Sequence, residues 1–273
     1  LTATKLDSTL PHAHLLLGTI YARQNKPHQS IDELTTSLSL DSNSKDIEAL
    51  LAEEYMRSGD INNAIIHYES AVRLNPTDVL SHFQLGNLYS QKKDYFNASD
   101  HYKRVTQLTP RHALGFINLG WTLESQENDK EAEAAYQRAI TLDPSNTFAH
   151  QRLGVIYLNR EIYGKASTEF SSILTNDPNN VSAQQFMGET LYYLKNYSGA
   201  KEYFNAILSR SKNPSLPQLY MGFIADAEGK TDEALNYFDK ALFSMTDPRD
   251  IYTQFYLQFV RKNESRKSTQ YLK

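Results

Sequence analysis

Apolar and small residues recur along this chain with a period of 34, and within each period they lie on two stripes with helical spacing. In a 34-residue unit that starts at Pro11, the first stripe holds positions 4, 7, 8 and 11, and the second holds positions 20, 24 and 27. Turn residues separate the stripes, and five such pairs are Gly59-Asp60, Lys93-Asp94, Asn128-Asp129, Lys195-Asn196 and Gly229-Lys230. Each unit is therefore predicted to form two helices joined by a turn.

The repeating positions indicate how the two helices of a unit pack. Position 8 is glycine or alanine, and it reads Gly18, Ala52, Gly86, Gly120, Gly154, Gly188 and Gly222. Position 24 is large, and it reads Leu34, Tyr68, Tyr102, Tyr136, Phe170, Phe204 and Phe238. A small residue lets two helix backbones approach closely, and the large side chain fills the space beside them. One unit cannot bury both of its apolar faces, so neighbouring units are expected to stack.

The period predicts a single array over residues 1–273. Its complete units are 11–44, 45–78, 79–112, 113–146, 147–180, 181–214 and 215–248. Residues 1–10 match the end of a preceding unit, and residues 249–273 match a partial eighth unit or a capping helix. Because the pattern is already in progress at Leu1, we expect the chain to be a fragment of a longer protein.

The unit length, the small residues at positions 8 and 20, the aromatic residue at 24 and the proline at 32 of the middle units together resemble the tetratricopeptide repeat family. The resemblance covers essentially the whole chain. It implies an all-α fold, a right-handed superhelical solenoid of antiparallel helix pairs whose first helices line a concave groove. It also implies a protein–protein adaptor, since that is what most members of the family are.

The composition narrows the class of partner. The net charge is -4 with both signs scattered, so no basic stripe suited to nucleic acid is expected. No apolar run is long enough to predict membrane insertion, and the absence of cysteine excludes disulfides and thiolate chemistry. We expect a protein or peptide partner, in a cytoplasmic or periplasmic setting that the sequence leaves open.

Signals of catalysis are weak, and no enzyme activity, cofactor or metal is expected. Gly229, Lys230 and Thr231 form a partial phosphate-loop motif, but the earlier glycine that it needs is replaced by Ile224. His67 and His101 both fall on position 23, so the array explains their spacing better than metal binding does.

In the resembling family the groove is lined by first-helix positions 2, 5, 6, 9, 12 and 13. Carried over to this sequence, the candidate groove residues are Phe83, Asn87, Ile117, Asn118, Trp121, Arg152, Gln185, Glu189, Tyr192, Tyr220 and Phe223. Phe83, Ile117 and Phe148 are expected to pack between adjacent first helices. The rings expected to lie open in the groove are those of Trp121, Tyr192, Tyr220 and Phe223. The amides and Arg152 are expected to orient the backbone of a bound peptide.

Some family members clamp an acidic C-terminal tail of heat-shock chaperones through two lysines, two asparagines and an arginine. Asn87, Asn118 and Arg152 match that pattern, but Phe83 and Phe148 replace the lysines. Without those two charges a terminal carboxylate would be poorly compensated, so this ligand is not expected.

The sequence therefore predicts an interaction scaffold that holds a peptide or helix of its partner in the groove and acts as an assembly adaptor. Two alternatives stay open. In the first alternative, the array is the recruiting arm of a larger enzyme, such as a glycosyltransferase, or of an export, pilus or exopolysaccharide machine. In the second, its terminal repeats mediate self-association.

Overall fold

The computed structural model describes residues 10–42, 44–211 and 214–244, and these residues form fourteen α-helices and no strand. They belong to two compact units that divide between Pro144 and Ser145. The first unit contains α1 (Pro11–Arg23), α2 (Pro27–Leu40), α3 (Lys45–Ser58), α4 (Ile61–Leu74), α5 (Val79–Gln91), α6 (Tyr95–Leu108), α7 (Ala113–Glu124) and α8 (Asp129–Leu142). The second contains α9 (Thr147–Asn159), α10 (Tyr163–Asn176), α11 (Val181–Tyr193), α12 (Tyr197–Leu208), α13 (Ser215–Ala227) and α14 (Thr231–Ser244).

Consecutive helices pair in both units. Each odd-numbered helix, called here a first helix, packs against the second helix that follows it, and within a unit that second helix packs against the next first helix. In the second unit, α9 and α11 also lie side by side, as do α11 and α13. The predicted fold class, an all-α solenoid of helix pairs, is confirmed.

The first helices end in the same turn in every described repeat. Position 15 has a positive φ each time, and its occupants are Asn25, Gly59, Lys93, Glu127, Glu161, Lys195 and Gly229. The next residue donates its backbone N–H to the carbonyl four positions before that turn residue, as in Asp60 to Tyr55 at 2.9 Å. This left-handed ending satisfies a carbonyl that the helix leaves unpaired. In the fourth repeat the left-handed residue is Glu127, one position before the predicted Asn128-Asp129 pair.

The core of each repeat lies between its two helices, where the position-24 side chain covers the small residue at position 8. A methyl group added at Gly188 would lie 2.6 Å from Cε1 of Phe204, and one added at Gly154 would lie 2.6 Å from Cε1 of Phe170. Carbon atoms do not approach that closely without displacement, so the ring itself requires the glycine. The recurring glycines are therefore structural.

Several predictions made from the ends of the chain lie outside the described residues. The expected remnant at residues 1–10 is described only at Leu10, and the expected partial repeat at 249–273 is not described. A single array over residues 1–273 stays a prediction.

Candidate functional site

The candidate binding surface consists of first-helix positions 2, 5, 6, 9, 12 and 13, and we call it the first-helix face of each unit. In the first unit, the predicted residues Asn87 and Asn118 meet at the hydroxyl of Tyr102. This hydroxyl donates to Oδ1 of Asn87 at 2.7 Å and also hydrogen-bonds the Asn118 side chain. The Asn87 amide nitrogen donates to Gln84 at 3.2 Å. Both amides are therefore held in place by the buried tyrosine beneath them.

The predicted apolar residues of the first unit are partly covered. Ile117 is buried, as expected, and Phe83 is half-buried with its ring edge-on to Tyr102 at 5.8 Å. Trp121 is also half-buried, and its ring lies edge-on to Tyr95 at 5.7 Å. The indole therefore offers only part of its surface to a ligand, which is less than the open position expected for it.

Sequence reasoning missed two exposed apolar side chains of this face. Leu80 and Leu114, both at position 2, are 55% and 45% exposed. Their signal was present, because position 2 is a groove position that holds a large apolar residue in three consecutive repeats, ending with Phe148. Exposed apolar side chains in register on neighbouring helices are typical anchors for a partner.

A cleft of about 260 Å³ opens on the first-helix face of the first unit. Its lining residues are Glu53, Met56, Arg57, Tyr68 and Gln84. The hydroxyl of Tyr68 is buried and has no hydrogen-bond partner among the described residues. Arg57 is held in place at the rim, because it donates to Glu54 at 2.8 Å and to the carbonyl of Ala22 at 3.2 Å. The cleft combines apolar wall with donors and acceptors, which suits a side chain of a bound peptide.

In the second unit, the structure brings several predicted aromatic residues into one cluster. Tyr192 lies at its centre, with its ring 5.5 Å from that of Tyr220 and 6.2 Å from that of Phe223. Tyr193 joins the cluster through the ring of Tyr192, at 5.3 Å, and it also stacks on Tyr163 at 5.3 Å, a ring that the sequence did not single out. Tyr192 and Phe223 are half-buried. The cluster forms a largely aromatic wall along α11 and α13.

The exposure expected for two rings of the second unit was wrong. Tyr220 is only 9% exposed, because its ring stacks on Phe204 in the core at 5.4 Å. Position 6 therefore points partly toward the second helix of the preceding repeat. Phe148 has the opposite outcome, with 45% of its surface exposed, where packing between first helices was expected.

The polar candidates of the second unit differ in burial. Arg152 and Gln185 are half-buried, whereas Glu189 is buried. Burial raises the pKa of the Glu189 carboxyl to about 7, and a hydrogen bond from Gln185 lowers it by a smaller amount. Whether these residues bind a partner stays a prediction.

Histidines pair across the two helices of a repeat, which the sequence analysis did not foresee. Position 4 faces position 23 in His14–Glu33 at 2.7 Å, His67–Glu48 at 2.6 Å and His150–Glu169 at 2.7 Å. In the third repeat the pair is His82 and His101, with their Nδ1 atoms 3.0 Å apart. The sequence signal was that a histidine at one of these two positions goes with a glutamate or a histidine at the other, which is seen only when positions 4 and 23 are compared as a pair.

The His82–His101 pair predicts sensitivity to acid. Burial lowers the pKa of His82, and burial together with His82 lowers the pKa of His101 to about 4. The unfolded chain therefore binds protons at a higher pH than the folded chain does, so stability falls as the pH drops from about 6.5 toward 4. Solvent partly screens the pair, so its contribution to the unfolding free energy is modest. We expect His101→Gln to make the loss of stability on acidification smaller by about 1–2 kcal/mol.

Urea unfolding of the parent and of His101→Gln at pH 7.5 and pH 5.0 measures the effect. The control is His28→Gln, which changes an exposed histidine of α2. An equal loss of stability on acidification in all three proteins would contradict the prediction.

Three further kinds of site were considered for the described part of the chain: a phosphate loop, a metal site and a membrane span. Gly229 forms the left-handed turn, Lys230 pairs with Glu228 at 2.8 Å and Thr231 begins α14, so the partial phosphate-loop motif has structural roles. No group of three or more histidine, aspartate or glutamate residues is arranged to hold a metal ion among the described residues. None of the described helices has the length and apolar character needed to cross a bilayer.

Comparisons with known proteins agree with this architecture. Tetratricopeptide repeat family models match residues 52–93, 80–112 and 113–146. No curated protein matches the sequence significantly. Among solved structures, PilF of Pseudomonas aeruginosa is similar with a TM-score of 0.60 and 20% identity, covering 80% of this chain and 98% of that chain.

Two further structures are similar at the level of the fold. PilW, described as a type IV pilus biogenesis factor, has a TM-score of 0.58 and 23% identity, covering 78% of this chain and 98% of its own. YrrB, described as a repeat protein with an unusual peptide-binding site, has a TM-score of 0.57 and 21% identity, covering 74% and 96%. The same helix pairs continue on both sides of the residues that the family models match, with Gly18 packed on Leu34 before them and Gly154, Gly188 and Gly222 packed on rings after them. The chain therefore contains tetratricopeptide repeats, which the family models match over residues 52–146.

Proposed function

We propose that this chain is a protein-interaction scaffold that binds a segment of a partner protein on its first-helix face and acts as an assembly adaptor. The observation that carries the proposal is the pair Leu80 and Leu114, whose side chains are exposed at the same register position of neighbouring repeats. Burying both on a partner would remove apolar surface from water, at about 25 cal/mol per Å². The half-buried amides Asn87 and Asn118 lie on the same first helices, and they support the proposal because side-chain amides can hydrogen-bond a peptide backbone.

Several features favour a peptide or single helix over a large flat interface. The cleft beside Gln84 has the volume of an amino-acid side chain rather than of a folded domain. The described anchors are spaced by one repeat, so an elongated segment can reach successive anchors without folding of its own. YrrB, which has a similar fold, is a repeat protein with a peptide-binding site, and this supports a peptide as the ligand.

The test begins with a phage-displayed library of random dodecapeptides selected on the purified protein. Two first-helix variants, Leu80→Asp/Leu114→Asp and Tyr193→Ala, probe the two units. The matched control is Ile66→Asp/Phe96→Asp, which places the same charges at exposed apolar positions of second helices α4 and α6. Circular dichroism checks that each variant keeps its helices.

We expect every selected peptide to lose affinity at least about tenfold in one of the two first-helix variants, equivalent to about 1.4 kcal/mol. The control is expected to stay within about twofold of the parent, because its substitutions lie on the second helices. Peptides that bind both first-helix variants as tightly as the parent, or that weaken only in the control, would overturn the proposal.

The alternatives raised by the sequence concern where the partner segment comes from. If the array recruits partners for a larger enzyme or a pilus or export machine, the bound segment belongs to a component of that machine. If the repeats associate with one another, light scattering will show a molar mass that grows with protein concentration, and the Leu80→Asp/Leu114→Asp variant will show whether the same face is used.

A further inference from the structure

The second unit presents a surface that is aromatic and negatively charged without any positive charge on the same helices. Helix α11 carries one charged residue, Glu189, and helix α13 carries one, Asp226. Neither helix contains lysine, arginine or histidine. The two helices lie side by side, so their two carboxylates belong to one continuous stretch of the first-helix face. We call this stretch the α11–α13 surface.

Glu189 is the unusual member of this surface, because a carboxyl group is rarely buried without a cation. The residue is 8% exposed, and its side chain hydrogen-bonds that of Gln185 one helical turn earlier. Among the described residues, no basic side chain contributes to its pKa. Burying an ionised carboxylate costs several kcal/mol unless a partner compensates the charge. Among the described residues, only the amide of Gln185 serves this purpose.

Two other carboxyl groups of the second unit have basic partners. Glu169 pairs with His150 at 2.7 Å, and Glu228 pairs with Lys201 at 2.6 Å and with Lys230 at 2.8 Å. Glu189 differs from these two carboxyl groups in having no basic partner among the described residues, and it occupies position 9 of a first helix, a position of the candidate groove.

Aromatic rings flank Glu189 on the same helix face. Tyr192 and Tyr193 follow it by three and four residues, so all three side chains share one side of α11. Phe223 of α13 lies 6.2 Å from the ring of Tyr192. The Asp226 carboxylate is near enough to add to burial in raising the pKa of the Tyr192 hydroxyl. Ring faces and carboxylates attract the same kind of ligand, a cation.

From this arrangement we infer that the α11–α13 surface binds a lysine or arginine side chain of the partner segment. An apolar side chain would cover Glu189 further and leave its charge without a partner, and an anionic one would be repelled by both carboxylates. A cationic side chain instead pairs with Glu189 while its aliphatic stem packs on the rings of Tyr192, Tyr193 and Phe223. The inference rests on the proposed function, and it specifies the chemistry that the second unit selects.

The experiment uses peptides from the dodecapeptide selection that lose affinity in Tyr193→Ala. Each is synthesised in its original form and with arginine replaced by citrulline, or lysine by norleucine, which removes the charge and keeps most of the shape. Dissociation constants are measured by fluorescence polarisation against the parent, Glu189→Gln and the matched control Glu228→Gln. The control removes a carboxylate that already has two lysine partners.

We expect loss of one particular cation to weaken binding to the parent and to Glu228→Gln at least about tenfold, and to weaken binding to Glu189→Gln less than about threefold. Equal losses in all three proteins, or no loss in the parent, would overturn the inference while the first-helix face remained a binding surface. Failure to select any peptide that depends on that face would overturn the proposed function and this inference together.

Discussion

Phe204→Ala is expected to lower the free energy of unfolding of the second unit by about 3–5 kcal/mol. Phe204 is fully buried in α12, and its ring touches the backbone of Gly188 on one side and stacks on Tyr220 on the other. Since Gly188 has no side chain, it cannot fill the space that the ring leaves. The surrounding helices would have to shift to close the cavity, and Phe204 joins the packing of three consecutive helices.

The matched control is Phe243→Ala in α14, which deletes the same ring from a position that is 96% exposed. That variant is expected to change stability by less than about 0.5 kcal/mol. Because each repeat contacts mainly its neighbours, unfolding need not be two-state, so hydrogen exchange in α11, α12 and α13 should accompany urea unfolding. Equal destabilisation by the two variants would contradict the packing described here.

The position-8 glycines show how far sequence reasoning could reach. Their 34-residue spacing predicted the helix pairs. In the structure, the ring at position 24 lies directly against the glycine in five repeats, at Gly86, Gly120, Gly154, Gly188 and Gly222. A packing requirement that recurs in every unit selects the same residue type at the same position, so it can be predicted from the sequence.

The candidate site was less predictable, because binding residues are by nature the ones that do not repeat. Phe148 and Tyr220 occupy family groove positions, yet one is exposed and the other is packed on Phe204. That outcome depends on side chains contributed by neighbouring helices, such as the ring at position 24 of the preceding repeat. Periodicity places a residue on a helix face, and only the packed neighbours decide how much of it reaches solvent.

The histidine pairs were missed for a related reason. The spacing of 19 residues between His14 and Glu33 joins two helices, so no single-helix pattern reveals it. In the second repeat the two residue types are swapped, because Glu48 stands at position 4 and His67 at position 23, and the histidine–glutamate pair is kept. A search for compensating pairs across the turn would have found it.

Glu189→Gln is expected to stabilise the free protein by about 2–3 kcal/mol at pH 8 and to leave it nearly unchanged at pH 4.5. The pKa of this carboxyl rises from 4.5 in the unfolded chain to about 7 in the folded one, with burial as the main cause. The unfolded chain therefore releases this proton first as the pH rises. The destabilisation is absent below about pH 4.5, grows between 4.5 and 7, and is complete above 7.

Urea unfolding from pH 4.5 to pH 8 should therefore give a parent curve that declines relative to that of Glu189→Gln. Glu228→Gln provides a control of opposite sign, because Lys201 and Lys230 lower the pKa of that exposed carboxyl and its charge favours folding. Parallel curves for parent and Glu189→Gln would show that the carboxyl is solvated in the free chain, and the reason to expect a cation beside it would disappear. A gap that closes when a cationic peptide is added would instead tie the stability cost of Glu189 to binding, because only a ligand that compensates the charge can remove it.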